Sequence, residues 1–147
     1  MNILFFLTPK SDVAFIYKDY TIGKALQTFQ TYRYSAIPMI DREGRYVGTV
    51  TEGDFLWGMY EGNQITPENL HTKRVSELPL KVQHKAVSIN AKMEDMMSIA
   101  KDQNFVPVVD DQGVFIGIVT RKEILQYCYG EIEKSRMKHQ EERLISA

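Results

Sequence analysis

Two short segments of this sequence place a hydroxyl and a carboxylate three residues apart. Thr51 is followed by Asp54, and Thr120 is followed by Glu123. Each pair comes after an apolar run and at the start of a helical pattern, so the threonine can cap the helix while the acid reaches back to the cap's own N–H. The same junction suits a ligand, because free N–H groups at a helix start favour acceptor atoms and a carboxylate can bind the two hydroxyls of a ribose. The spacing alone leaves helix capping and ligand binding both open.

Both segments belong to an internal repeat with a constant offset of 69 residues. Residues 36–56 align with residues 105–125 without a gap. Seven aligned positions are identical: Pro38/Pro107, Asp41/Asp110, Gly44/Gly113, Gly48/Gly117, Val50/Val119, Thr51/Thr120 and Leu56/Leu125. Identities of this kind indicate a duplicated unit.

Each copy predicts the same order of elements. A short strand at 13–16 or 86–89 is followed by a helical pattern of apolar residues, then by two apolar runs joined at Asp-x-x-Gly, then by a second helix from 55 or 124. We therefore expect an α/β (α+β) chain of two β-α-β-β-α repeats packed face to face in pseudo-twofold symmetry. The predicted boundaries are 1–60 for the first repeat, 61–74 for a polar linker, 75–130 for the second repeat and 131–147 for a charged helix or tail.

Composition narrows the classes of function. Eighteen Lys and Arg against 19 Asp and Glu give a net charge of −1, so no overall field favours nucleic acid. The apolar start at residues 1–7 is shorter than the roughly 20 residues of a membrane span, so we expect no membrane association and a buried N-terminus. Cys128 is the one cysteine, which predicts a reducing, cytoplasmic location. The three histidines lack ligand spacing and no nucleophile has a base partner, so neither a metal site nor an enzyme is expected.

Across about residues 8–130 the chain resembles a tandem pair of CBS domains, a Bateman module. The pattern that carries the resemblance is Ile-Pro-x-x-Asp-x-x-Gly-x-x-x-Gly-x-x-Thr-x-x-Asp, which starts at Ile37 and recurs from Val106 with Glu123 as its last residue. The resemblance implies a regulatory module that binds AMP, ADP, ATP, S-adenosylmethionine or a cyclic di-adenosine nucleotide between the repeats, with or without magnesium and with no other cofactor. It also implies a homodimer that signals to a separate, unknown partner protein. The alternative is a ligand-free dimerisation or scaffold module, in which the Thr-x-x-acid segments only cap helices.

The resemblance also assigns site residues. The ribose contacts fall on Thr51 with Asp54 and on Thr120 with Glu123, and the second pair departs from the pattern because glutamate is one methylene longer. The adenine contacts fall on residues before the strand proline and on the segment that leads into the first strand: Ile37 or Val106, with Asp12 and Ala14 or His84 and Ala86.

Phosphate contacts are harder to assign from the pattern. Many AMP-binding relatives carry Arg or His two or three residues before the proline, where this chain has Ser35-Ala36 and Asn104-Phe105. The cationic residues available instead are Arg33, Arg121, Lys122, Lys81 and Lys85. Trp57 and Tyr60, just past the first Thr-x-x-Asp, are expected either in the core or on a dimer face.

Overall fold

A computed structural model describes residues 2–61 and 64–146 of the chain. The strands within these residues are β1 (Thr8–Pro9), β2 (Ile16–Tyr17), β3 (Ala36–Ile40), β4 (Tyr46–Thr51), β5 (Val87–Ser88), β6 (Phe105–Val109) and β7 (Phe115–Thr120). The α-helices are α1 (Ile22–Tyr32), α2 (Glu52–Tyr60), α3 (Met93–Ala100) and α4 (Arg121–Ser146). Short 3-10 helices cover Ile3–Phe6, Lys10–Asp12 and Val75–Glu77.

Each repeat builds its own sheet in the same way. The first sheet has the order β2-β3-β4, and the second has the order β1-β7-β6-β5. In both, the first strand of the repeat runs parallel to the second, and the second forms an antiparallel hairpin with the third. The registers keep the sequence offset, since Pro38 lies opposite Thr49 and Pro107 lies opposite Ile118. The predicted fold class is confirmed.

The hairpin turns explain the Asp-x-x-Gly motif. An Asp41 side-chain oxygen accepts hydrogen bonds from the backbone N–H groups of Glu43 (3.0 Å) and Arg45 (2.9 Å). Gly44 follows with φ +86°, a conformation that glycine adopts at little cost. The second turn repeats the arrangement at Asp110, with Gly113 at φ +79°.

Reciprocal contacts between the hairpins define a pseudo-twofold axis. The Tyr46 N–H donates to the Gly113 carbonyl (3.1 Å), and the equivalent Phe115 N–H donates to the Gly44 carbonyl (2.9 Å). The rings of Tyr46 and Phe115 stack with their centroids 6.4 Å apart. The two hydrogen bonds are equivalent under the 69-residue offset and the two stacked rings occupy equivalent positions, so the repeats pack face to face as predicted.

The segment that leads into each repeat packs on the other repeat. Ile3 is buried in the core of the second repeat, and β1 pairs with β7 along the edge that the β6-β7 hairpin would otherwise leave free. Val75 and Leu78, at the start of the predicted second repeat, are buried in the core of the first. Residues 3–9 therefore pack on the second repeat although they lie within the predicted first one. Their place follows from the free edge of β7, whose backbone groups pair with β1.

Four local predictions need correction or extension. β2 and β5 begin later than residues 13 and 86, because the 3-10 turn at Lys10–Asp12 precedes the first of them and shifts its start. The predicted polar linker packs against the core: Ile65 is buried with the first repeat, while residues 62 and 63 lie outside the described residues. The charged C-terminal segment is helical, since α4 continues to Ser146 and residues 134–146 are all exposed. The N-terminus is only partly buried, with Phe5 exposed.

Candidate ligand-binding site

A cavity of about 250 Å³ lies between the two repeats. It is bounded by the segment that leads into the first repeat, by the start of β3, by the start of β6 and by β7. Its lining is mostly apolar and comprises Thr8, Asp12, Val13, Ala14, Tyr34, Ser35, Ala36, Pro38, Asn104, Phe105, Ile118 and Thr120. A concave, mostly apolar site with a few polar groups is the usual form of a small-molecule pocket.

Strand alternation decides which residues face this cavity. Ala36 and Pro38 point into it, whereas Ile37 between them is 0% exposed and belongs to the core of the first repeat. Val106 is likewise buried in the core of the second repeat. The side chains of Ile37 and Val106, both expected at the adenine, therefore face away from the cleft because neighbouring strand residues point to opposite faces.

Close packing of β1 on β7 places the lead-in segment over the second repeat. A Cβ at Gly117 would overlap the carbonyl oxygen of Thr8, so only glycine permits this approach. Asp12 and Ala14 consequently line the same cavity as Thr120. The site thus combines the lead-in segment of one repeat with the Thr-x-x-acid segment of the other.

Thr120 and Glu123 form an open version of the helix cap. The Thr120 hydroxyl accepts a hydrogen bond from the Glu123 N–H at 3.3 Å. The Glu123 carboxylate is half-buried and makes no hydrogen bond or ion pair with the residues that the structure describes. A hydroxyl that lines the cavity and a free carboxylate one helical turn away are suited to a ligand's hydroxyl groups.

Thr51 and Asp54 form a closed version of the same cap. One Asp54 oxygen accepts from the Thr51 N–H (2.8 Å) and hydroxyl (3.0 Å), and the other accepts from the Lys81 N–H (3.0 Å). The residue is only 4% exposed. Both oxygens of the predicted ribose-binding acid are therefore occupied by the protein itself. A second cavity of about 210 Å³ beside Asp54 lies against α2 and Pro79, and has no lining residue from β6 or β7.

His84 and Ala86 lie away from the cavity lining. The strand registers equate Ile16 with Val87, so Asp12 corresponds to Gln83 and Ala14 to Lys85 rather than to the two predicted residues. The Nδ1 atom of His84 is buried and has no hydrogen-bond partner among the described residues.

The predicted phosphate residues do not line the cavity. The Arg121 Nε donates to the Ala100 carbonyl at 2.8 Å, and Lys122 lies with it on a shallow groove along α4. The Lys81 Nζ forms an ion pair with Glu61 at 2.7 Å. Lys85 contacts Gln103 through its backbone. Arg33 and Arg121 each adjoin a lining residue in the chain, Tyr34 and Thr120 respectively, but Arg121 is held by its bond to Ala100.

The sequence patterns did not point to several lining residues, among them Thr8, Tyr34, Pro38 and Ile118. Strand alternation could have identified Pro38 and Ile118, because each is next to a core residue and its side chain therefore points to the opposite face of the strand. Tyr34 gave no such signal, because it lies in the connection between α1 and β3.

Residues 2–61 and 64–146 bring together no group of three or more His, Cys, Asp or Glu side chains with the geometry to hold a metal ion. No helix in the same residues combines the length and the apolar character needed to cross a bilayer.

Comparison with known proteins identifies the family. The family model of the CBS domain matches residues 6–61 and 75–130, and the chain belongs to this family as a tandem pair. A curated relative is inosine-5'-monophosphate dehydrogenase of Methanocaldococcus jannaschii, which is 28% identical over 115 residues. That match covers 78% of this chain but 21% of the dehydrogenase, so the chain spans about a fifth of that relative's length.

Solved structures share the whole fold. CbpB in complex with c-di-AMP is similar with a TM-score of 0.78 and 24% identity, over 94% of this chain and 91% of that one. CBSX2 in complex with AMP is similar with a TM-score of 0.68 and 23% identity, over 88% and 96% of the two chains. At these identities the likeness establishes a common CBS-pair fold.

Proposed function

We propose that this protein is a regulatory module that binds an adenosine-containing nucleotide in the 250 Å³ cavity between its repeats. The observation that carries the proposal is the pairing of Thr120, whose hydroxyl lines the cavity, with the uncommitted carboxylate of Glu123. The apolar walls suit a purine base, while the hydroxyl and the carboxylate suit a ribose. In this role the chain binds the nucleotide and does not transform it.

The ligand class is supported by the proteins that share the fold. CbpB and CBSX2 were solved with c-di-AMP and AMP respectively, and both are CBS-pair proteins. AMP, ADP, ATP, S-adenosylmethionine and c-di-AMP are therefore the candidates, with magnesium as an accompanying ion. Arg33, next to Tyr34 at the cavity, is the proposed phosphate contact.

A regulatory module must pass the effect of ligand binding to another protein. We propose that the chain forms a homodimer and that this dimer acts on a separate regulated protein in the cytoplasm. Trp57 and Tyr60 are 42% and 80% exposed on α2, and Leu125 and Tyr129 are exposed on α4. Trp57 and Tyr60 are thus surface residues, which leaves the dimer face as their proposed role. A ligand shifts such an assembly only if it binds two packings of the dimer with different affinity.

The proposal is tested by thermal shift with each candidate nucleotide, with and without magnesium, followed by calorimetry. A ligand at about 100 times its Kd adds roughly 2.7 kcal/mol, or about 5–10 °C for a chain of this size. Thr120→Val is expected to lower the affinity about tenfold or more, because it removes the hydroxyl that lines the cavity.

Thr51→Val is the matched control, since Thr51 holds the equivalent position in the closed cap. It is expected to lower the stability by about 0.5–2 kcal/mol without changing the affinity. If no candidate shifts the melting temperature of a folded dimer, the scaffold alternative replaces the sensor. If Thr51→Val weakens binding and Thr120→Val does not, the proposed site is wrong.

A further inference from the structure

The two repeats build two clefts related by the pseudo-twofold axis, and these clefts have diverged. Tyr34 and Gln103 are 69 residues apart and therefore occupy equivalent positions. Tyr34 lines the open cavity and is 49% exposed, whereas Gln103 is only 5% exposed.

The Gln103 side chain forms hydrogen bonds that connect two segments of the second repeat. Its side-chain oxygen accepts from the Lys85 N–H at 2.6 Å. Its amide nitrogen donates to the carbonyls of Lys85 (3.0 Å) and Phe105 (3.1 Å). The side chain thereby fastens the segment before β5 to the start of β6. A buried amide with these bonds made is costly to displace, because every donor and acceptor would need a new partner.

The acid of the same cleft is also bound by the protein. One Asp54 oxygen accepts from Thr51 and the other from the Lys81 N–H, whereas the equivalent Glu123 carboxylate makes no hydrogen bond with the described residues. Gln83 and Lys85, the equivalents of Asp12 and Ala14, line a surface groove against α3 together with Gln103. The lining of that groove contains no residue of β3 or β4, so it is not the equivalent of the open cavity.

We infer that each chain binds one nucleotide, in the cleft of Tyr34 and Thr120, and that Gln103 and Asp54 hold the other cleft shut. This inference rests on the proposed function and adds the stoichiometry, the choice of cleft and the residue that prevents a second ligand from binding. The exposed ring of Tyr34 forms a wall of the occupied cleft, against which a base can stack.

The experiment is isothermal titration of the 147-residue chain with AMP and, separately, with c-di-AMP. About one AMP per chain is expected. Tyr34→Ala is expected to weaken binding of the better probe about tenfold or more. Gln103→Ala is the equivalent variant on the other side of the axis and is expected to leave the affinity for that probe unchanged. Thr51→Val serves in its place if Gln103→Ala fails to fold.

Hydrogen exchange supplies a second readout that needs no ligand. The Lys85 amide is expected to exchange slowly in the wild type and faster in Gln103→Ala, because its acceptor is the Gln103 side chain. About two AMP molecules per wild-type chain, or a loss of affinity from Gln103→Ala with none from Tyr34→Ala, would overturn the inference while leaving nucleotide binding intact. Binding of neither probe would overturn the proposed function, and this inference with it.

Discussion

Asn104 donates a hydrogen bond from its side-chain nitrogen to the Ser35 hydroxyl oxygen at 3.3 Å, and the two residues are 69 positions apart in the chain. They are the same position of the two repeats, meeting at the pseudo-twofold axis. Both also line the cavity. A ligand in that cavity consequently contacts the two repeats where they touch each other, so its binding is coupled to the way in which the repeats are held together.

Replacement of Asp54 by alanine is expected to destabilise the fold and leave nucleotide affinity unchanged. The substitution removes a helix cap and leaves the N–H groups of Thr51 and Lys81 without their acceptor. These losses together amount to about 2–4 kcal/mol, which urea denaturation measures. Asp95→Ala is the control, because Asp95 caps α3 in the same manner from an exposed position and should cost only about 0.5–1 kcal/mol. Loss of affinity at preserved stability would instead make Asp54 a ribose contact.

Asp54 also illustrates how far the sequence predicts this site. The repeat, its elements and the Thr-x-x-acid junctions follow from local patterns and recur in the structure. Local patterns do not show whether a junction forms an open or a closed cap. In the closed cap, one of the N–H groups that donate to Asp54 belongs to Lys81, 27 residues away. The prediction of Ile37 at the ligand is wrong for a related reason. The proline identifies the strand, but which face of that strand is buried depends on how the core packs.

The lead-in strand β1 was not predicted at all. Thr8 and Pro9 are two residues with no alternating pattern, and their pairing with β7 depends on the absence of a side chain at Gly117. The constant offset of 69 residues shows that Gly48 and Gly117 are equivalent. It does not show that another segment of the chain packs against each glycine.

Gly117→Ala is expected to lower the stability by about 2–4 kcal/mol, because the new Cβ would overlap the Thr8 carbonyl and the residue has φ +154°. Displacement of β1 should also weaken nucleotide binding, since Thr8 lines the cavity. Gly130→Ala in α4 is the matched control: no atom lies within 4 Å of its Cβ, so helix propensity should raise the stability by about 0.5–1 kcal/mol. Equal effects of the two variants in thermal unfolding would contradict the close approach of β1.

The ion pair of Asp19 with Arg42 predicts a pH dependence of stability. The Arg42 guanidinium hydrogen-bonds Asp19 at 2.8 Å and lowers the pKa of that carboxyl from its ordinary value of 3.8. Because the pKa of Asp19 is lowered in the folded state, the ion pair stabilises the fold fully at pH values above 3.8. This stabilisation is lost as the pH falls through the pKa of the folded state. The urea midpoint of the wild type should therefore fall more steeply below about pH 4 than that of Asp19→Asn. Both groups are exposed, so about 0.5 M salt should reduce the difference, and parallel pH profiles would refute the role of the pair.

Charge placed on the exposed face of α2 is expected to separate the proposed dimer. Trp57→Glu combined with Tyr60→Glu would bury carboxylates in an apolar contact, so light scattering should report the mass of one chain. Leu144→Glu is the control, because Leu144 is as exposed as Tyr60 but lies near the C-terminal end of α4. A wild type that is already monomeric, or a dimer that only Leu144→Glu disrupts, would rule out the α2 face as the interface.

Arg33→Gly is expected to make the protein more stable and a poorer binder of phosphorylated ligands. Arg33 ends α1 with φ +57°, the left-handed conformation that favours glycine and costs other residues about 1–2 kcal/mol. Allowing for the greater freedom of glycine in the unfolded chain, the net gain should be about 0.5–1 kcal/mol in urea denaturation. Arg33→Ala separates the two effects, because it removes the guanidinium but keeps a Cβ in the unfavourable conformation. Both variants should bind AMP more weakly and adenosine unchanged, whereas an unchanged ratio of AMP to adenosine affinity would exclude Arg33 as the phosphate contact.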